Sequence, residues 1–100
     1  MFTLYSADFI STPGNCSYPH KTVVMDTDSL KAAVGHDYVC AEYKHHYRNG
    51  ANFLSADCLP VDCDNDHSED PKDWITPADM LEAFPEVSLA IHYSRFNQRE

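Results

Sequence analysis

The chain has 100 residues and a formal net charge of −9, from 16 acidic and 7 basic side chains. This length suits one small domain or part of a larger one, because independent domains cluster at about 100–150 residues. A hydrophobic content of 43% is typical of a folded protein. The acidic balance excludes a protein that coats duplex DNA with a broad basic face.

The N-terminus gives no sign of export or membrane insertion. Residues 1–10 contain no basic side chain and no long apolar run, so neither a signal peptide nor a membrane-spanning segment is predicted. We therefore expect a cytoplasmic protein without a membrane partner, in which cysteines are reduced. No pair has the C-x-x-C spacing that favours a structural zinc site. The four cysteines are Cys16, Cys40, Cys58 and Cys63.

The first half of the chain predicts an extended segment followed by short strands and a helix. Proline and glycine break up residues 1–21, so we expect an extended segment with turns there and the domain proper over residues 22–100. A short helix is expected over residues 29–34, with Asp28 as its N-cap and Gly35 at its end. The runs that favour β structure are residues 22–25 and 38–43.

The second half predicts a β-α-β unit. Residues 58–64 suggest an irregular strand, a helix begins at Thr76 and ends before Pro85, and residues 87–94 alternate as a second strand. This order predicts a parallel pair with a right-handed crossover. The expected fold class is therefore α/β (α+β), with a small mixed sheet. Such a sheet would leave apolar surface exposed, so we expect a truncated N-terminal part of a larger domain.

Two carboxylates form the first candidate site. Asp62 and Asp64 are two residues apart at the end of a predicted strand, which would direct both side chains to one face of the sheet. Close carboxylates repel each other unless a cation lies between them, and oxygen ligands favour magnesium, manganese or calcium. Ligands of open α/β sheets also bind at this end of a strand. An acidic pair that merely solvates a turn would have the same spacing.

A calcium-binding loop is an alternative interpretation of the same region. Six side chains have the spacing of EF-hand ligands, but His67 replaces the glycine of the sharp turn and Glu69 replaces an apolar residue. The segment before the loop also resembles a strand more than a helix. The six side chains are Asp62, Asp64, Asp66, Ser68, Asp70 and Asp73.

Four stretches of the sequence resemble the start of an archaeo-eukaryotic-type primase domain. More narrowly, they are similar to the primase-polymerase domains of phage and mobile-element replication proteins. The most specific stretch is the run from Val61 to His67, an apolar residue followed by Asp-x-Asp-Asn-Asp-His. The resemblance extends over residues 22–95. The stretches are residues 47–53, 57–67, 70–76 and 91–95.

The resemblance implies metal-dependent nucleotidyl transfer. Asp62 and Asp64 match the catalytic carboxylates that bind Mg²⁺ or Mn²⁺. Nucleoside triphosphates and a single-stranded DNA template would be the partners, with a fused or associated helicase. The two further motifs of the family are expected downstream, so the full-length protein would be the enzyme and these 100 residues alone would be inactive. The alternative is a small acidic calcium-binding or interaction protein without catalysis.

Two arginines are candidate contacts for nucleotide or template phosphates. Arg48 lies in a polar loop, and Arg95 follows the last predicted strand. For each of them, a position on a solvated surface fits the sequence equally well.

Overall fold

A computed structural model describes residues 1–93 of the chain. The chain divides into two compact units, of which unit 1 is Met1–Pro60 and unit 2 begins at Val61. The α+β class is confirmed, with two small antiparallel sheets and two α-helices among the described residues. The strands are β1 (Phe2–Ser6), β2 (His20–Val24), β3 (Tyr38–Val39), β4 (Ala41–Tyr43) and β5 (Phe53–Ala56), and the helices are α1 (Thr27–Val34) and α2 (Pro77–Ala83).

Strand β1, which belongs to the predicted extended segment, is the centre of the larger sheet. Strands β2 and β3 flank it, and both run antiparallel to it. The register places Leu4 opposite Thr22 and Tyr5 opposite Val39. Because successive side chains of a strand point to opposite faces, Leu4 and Tyr5 enter two different apolar clusters.

Helix α1 covers one face of this sheet. Leu4, Val24 and Ala33 form a buried cluster between the sheet and the helix. The Ser6 hydroxyl donates a hydrogen bond of 2.7 Å to the Ala33 carbonyl, so a polar contact also joins the helix to β1. The opposite face carries Tyr5 with Ala7 and Tyr18.

Helix α1 begins two residues earlier than the sequence predicts. Its N-cap is Asp26 rather than Asp28. The Asp26 carboxylate accepts the Ser29 amide at 2.8 Å, and the Ser29 hydroxyl oxygen accepts the Asp26 amide at 3.1 Å. Only Asp26 has a serine three residues later to complete this reciprocal capping box, which explains the shift. The predicted end at Gly35 is confirmed.

The strand predicted over residues 58–64 is wrong. The structure instead has β5 over Phe53–Ala56, antiparallel to β4. Phe53 lies opposite Tyr43, and the two rings pack edge to face with their centroids 6.2 Å apart. Cross-strand aromatic pairs stabilise such hairpins, whereas Pro60 has no amide hydrogen to give to a ladder.

Unit 2 contains α2 as predicted, but the predicted β-α-β unit is wrong within the described residues. Thr76 caps α2, its hydroxyl accepting the Asp79 amide while the Asp79 carboxylate accepts the Thr76 amide. No strand precedes α2 within unit 2, and residues 87–93 form none after it. Ser94 lies outside the described residues. Within residues 1–93, no helix is long and apolar enough to cross a membrane.

Candidate functional site

The structure places Asp62 and Asp64 in an irregular segment of unit 2. Both side chains are exposed, and neither follows a strand directly, since β5 ends at Ala56. The expectation that a strand would direct both carboxylates to one face is therefore wrong. Their Cα atoms are nevertheless close, because two residues of chain span at most about 7 Å. Both residues are thus exposed to solvent and close to each other in the chain.

The next residue, Asn65, is the anchor of this segment. Its side chain is only 4% exposed. The Asn65 Oδ1 atom accepts the Ile75 amide at 2.8 Å, and its Nδ2 atom donates to the Ile75 carbonyl at 3.2 Å. One amide side chain therefore holds both backbone groups of a residue ten positions later. This two-point contact closes a loop and fixes the backbone immediately after Asp64.

Further hydrogen bonds stabilise the closed loop from inside. The indole nitrogen of Trp74 donates to the Ser68 carbonyl at 2.9 Å, and Nε2 of His67 donates to the Asp73 carbonyl at 2.7 Å. The Ser68 hydroxyl donates to the Asp73 carboxylate at 2.8 Å. The Asp62–Asp64 pair therefore precedes an ordered loop.

The same hydrogen bonds bear on the calcium alternative. Asp70 accepts the Lys72 amide at 3.0 Å and caps a short 3₁₀ helix over Pro71–Asp73. Asp73 accepts the Ser68 hydroxyl. These carboxylates, predicted as calcium ligands, hold the loop's own polar groups. Within residues 1–93, no three His, Cys, Asp or Glu side chains converge as a metal site.

The donor set at Asp62 and Asp64 still fits magnesium or manganese. Mg²⁺ prefers oxygen ligands and keeps several waters, and proteins commonly bind it through one or two carboxylates together with substrate phosphates. A pair of exposed aspartates matches this mode, whereas an all-protein calcium cage would require more converging oxygens. Asp62 and Asp64 are therefore residues that could hold such a cation.

The two arginines have different outcomes. The Arg48 guanidinium stacks over the Tyr18 ring, 5.4 Å from its centroid, and one of its nitrogens donates to the Asn15 carbonyl at 3.4 Å. Arg48 is half-buried, and these two contacts attach its loop to the N-terminal part of unit 1. Arg95 lies outside the described residues.

Polar groups that the sequence did not single out line a cleft in unit 1. The cleft has a volume of about 270 Å³ and includes Asp8, His20 and His36. Nε2 of His20 is hydrogen-bonded to the Asp8 carboxylate. In unit 2 the missed residue is Asn65, which lies within the run from Val61 to His67 but was not predicted to be buried. Its only signal is that it is an amide among carboxylates.

Comparisons with protein-family models, curated proteins and solved structures found no match to this chain.

Proposed function

We propose that the chain is the N-terminal part of a primase-polymerase catalytic domain, in which Asp62 and Asp64 bind Mg²⁺ or Mn²⁺ for nucleotidyl transfer. The observation that carries the proposal is an exposed pair of aspartates next to a residue, Asn65, that fixes the backbone behind them. The resemblance of residues 61–67 to the first primase motif supplies the reaction class. The substrates are nucleoside triphosphates and a single-stranded DNA template.

In this reaction the 3′-hydroxyl of the primer attacks the α-phosphorus of a nucleoside triphosphate, and pyrophosphate leaves. A divalent cation held by Asp62 and Asp64 would neutralise charge on the phosphates and lower the pKa of the attacking hydroxyl. The role of Asp62 and Asp64 is to hold that cation through carboxylate oxygens. The anchored backbone at Asn65 reduces the conformational freedom that the pair loses on binding.

The charge of unit 2 supports a strict dependence on cations. Ten acidic and three basic side chains lie between Val61 and Glu100. This excess of negative charge repels a triphosphate and a DNA backbone, so both approach productively only when a cation compensates the carboxylates. The proposal therefore requires that nucleotide binding to this region be metal-dependent.

Primer synthesis by the natural protein that contains this sequence tests the proposal. The wild type should extend primers on single-stranded DNA with nucleoside triphosphates and Mn²⁺, and Asp62→Asn and Asp64→Asn should each abolish the product. Glu82→Gln is the matched control, because it removes one charge from an exposed side chain of α2. Absence of product from the wild type, or full activity of both asparagine variants, would refute the function.

A further inference from the structure

Strand β2 is an outer strand of the larger sheet, and among residues 1–93 it pairs only with β1. It is five residues long, and the side chains of His20, Lys21 and Val23 are exposed. The smaller sheet also has outer strands, but β5 has four residues and its pairing with β4 contains a register shift. Because the outer edge of a strand presents backbone groups to a further strand, β2 offers a longer and more regular edge than β5.

The hydrogen bonds of β1 show which backbone groups of β2 point outward. Thr3 lies opposite Val23, and Tyr5 lies opposite Lys21. The Thr3 amide donates to the Asp57 carboxylate at 2.9 Å and therefore not to β2. Thr3 and Val23 thus form a non-hydrogen-bonded pair of the antiparallel ladder, and such pairs recur at every second position. The amides and carbonyls of Lys21 and Val23 accordingly point away from β1, to the outer edge of the sheet.

We propose that the outer edge of β2 is a dimerisation surface, at which two copies of this chain pair antiparallel through their β2 strands. Lys21 of one copy lies opposite Val23 of the second copy, and Thr22 lies on the two-fold axis. Each Lys21–Val23 pair then exchanges both of its N–H···O=C hydrogen bonds, so the outward groups of both strands are satisfied. The three-stranded sheets of the two copies become one continuous sheet.

The distribution of charge around β2 favours a second copy as the partner. Lys21 lies near the start of β2, whereas helix α1 follows the end of β2 with Asp26 as its N-cap and Asp28 in its first turn. Antiparallel pairing brings the start of each β2 towards the end of the other, so the lysine of each copy approaches the aspartates of the second copy. The proposed register also separates the two lysines, which would repel each other if they were directly opposite.

The exposed side chains fit the same register. Val23 is 40% exposed, although valine is commonly buried in folded proteins. Lys21 and Val23 are two residues apart and therefore point to the same face of the sheet. In the dimer, the apolar stem of Lys21 from one copy covers the Val23 side chain of the second copy, while its ammonium group stays in water. The contact is small, so the dimer is weak and depends on the concentration of the chain.

Hydrogen exchange of the wild-type chain at low and high concentration tests the pairing without any substitution. In the dimer the amides of Lys21 and Val23 are hydrogen-bonded, so their exchange should slow as the concentration rises and recover on dilution. Light scattering should show the mass rising from 11.3 kDa towards twice that value over the same range. The range should extend to about 1 mM, because weak association is detected only there.

Three variants test the geometry of the edge. Val23→Pro removes an outward amide, and proline is tolerated on outer strands, so this variant should stay at the mass of one chain. Val23→Thr is the matched control, because it keeps the amide and a β-branched side chain, and it should associate as the wild type does. Lys21→Glu keeps the backbone and places a negative charge near Asp26 and Asp28 of the second copy, so it should weaken association.

Three outcomes would overturn the proposal. The first is a wild-type mass of 11.3 kDa at every concentration. The second is a dimer in which the amides of Lys21 and Val23 exchange as fast as they do in the dilute chain. The third is a concentration-dependent slowing confined to the amides of β5, which would assign the interface to the smaller sheet.

Discussion

Replacing Asn65 by aspartate exchanges the side-chain NH₂ group, a hydrogen-bond donor at the anchor of the candidate site, for a carboxylate oxygen. In the wild type, the side-chain amide accepts from the Ile75 amide and donates to the Ile75 carbonyl. An ionised aspartate keeps the first hydrogen bond, but it places a second carboxylate oxygen against the Ile75 carbonyl oxygen. The lost donation is worth about 1 kcal/mol. A buried acceptor without a donor adds about 2 kcal/mol or more, since Asn65 is only 4% exposed.

Urea unfolding followed by Trp74 fluorescence measures this effect. Trp74 is the only tryptophan of the chain, and its indole nitrogen is bonded within the same loop. At pH 7, Asn65→Asp should lower the free energy of unfolding that Trp74 reports by about 3 kcal/mol. Asp62→Asn is the matched control, because it makes the reverse substitution on an exposed side chain and should change that free energy by less than about 0.5 kcal/mol.

The pH dependence of this variant gives a second test. A protonated aspartate can donate to the Ile75 carbonyl as the amide does, so the folded state favours the protonated form. The variant should therefore approach wild-type stability as the pH falls and become less stable as it rises. Equal stability of Asn65→Asp and wild type at pH 7 would refute the role of Asn65 as the anchor.

Three further predictions concern other contacts. Thr76→Ala should lower the stability of α2 by about 1 kcal/mol while Thr76→Ser retains it, as measured by urea unfolding, because only alanine lacks the capping oxygen. The hydrogen bond from the Thr3 amide holds the pKa of Asp57 below its usual range. The ionised Asp57 carboxylate therefore stabilises the folded state at pH values above the unfolded-state pKa, and this stabilisation is lost as the pH falls through the folded-state pKa. Thermal unfolding from pH 7 to 3 should accordingly show a smaller acid-induced loss for Asp57→Asn. Arg48→Ala should lower the stability of unit 1 by about 1 kcal/mol, because the contact with the Tyr18 ring is lost, and unchanged thermal unfolding would contradict this.

Local signals predicted the helices better than the strands. Helix α2 follows from Thr76, Pro77 and Asp79, whose capping interactions involve only near neighbours in the chain. The same logic placed α1 but chose the wrong one of two nearby aspartates as its cap. Strand β5 depends on β4 as its partner, and the sequence of residues 53–56 does not reveal that pairing. The predicted strand over residues 58–64 failed for the same reason.

The candidate carboxylates could be identified from the sequence, but the hydrogen bonds that fix the backbone next to them could not. Asp62, Asp64 and Asn65 all lie in the run from Val61 to His67, but nothing in that run predicts that the Asn65 side chain is buried and bonded to the backbone of Ile75. Such long-range contacts have no periodicity in the sequence.

Titration of the 100-residue chain with Mn²⁺, followed by electron paramagnetic resonance of the free ion, tests the central claim most directly. The wild type and Glu82→Gln should bind Mn²⁺ equally, and Asp62→Asn and Asp64→Asn should each lose that binding. Parallel calcium titrations by calorimetry address the alternative. Mn²⁺ binding that survives both asparagine substitutions, or tight calcium binding that depends on Asp66, Asp70 and Asp73, would contradict the assignment of the site.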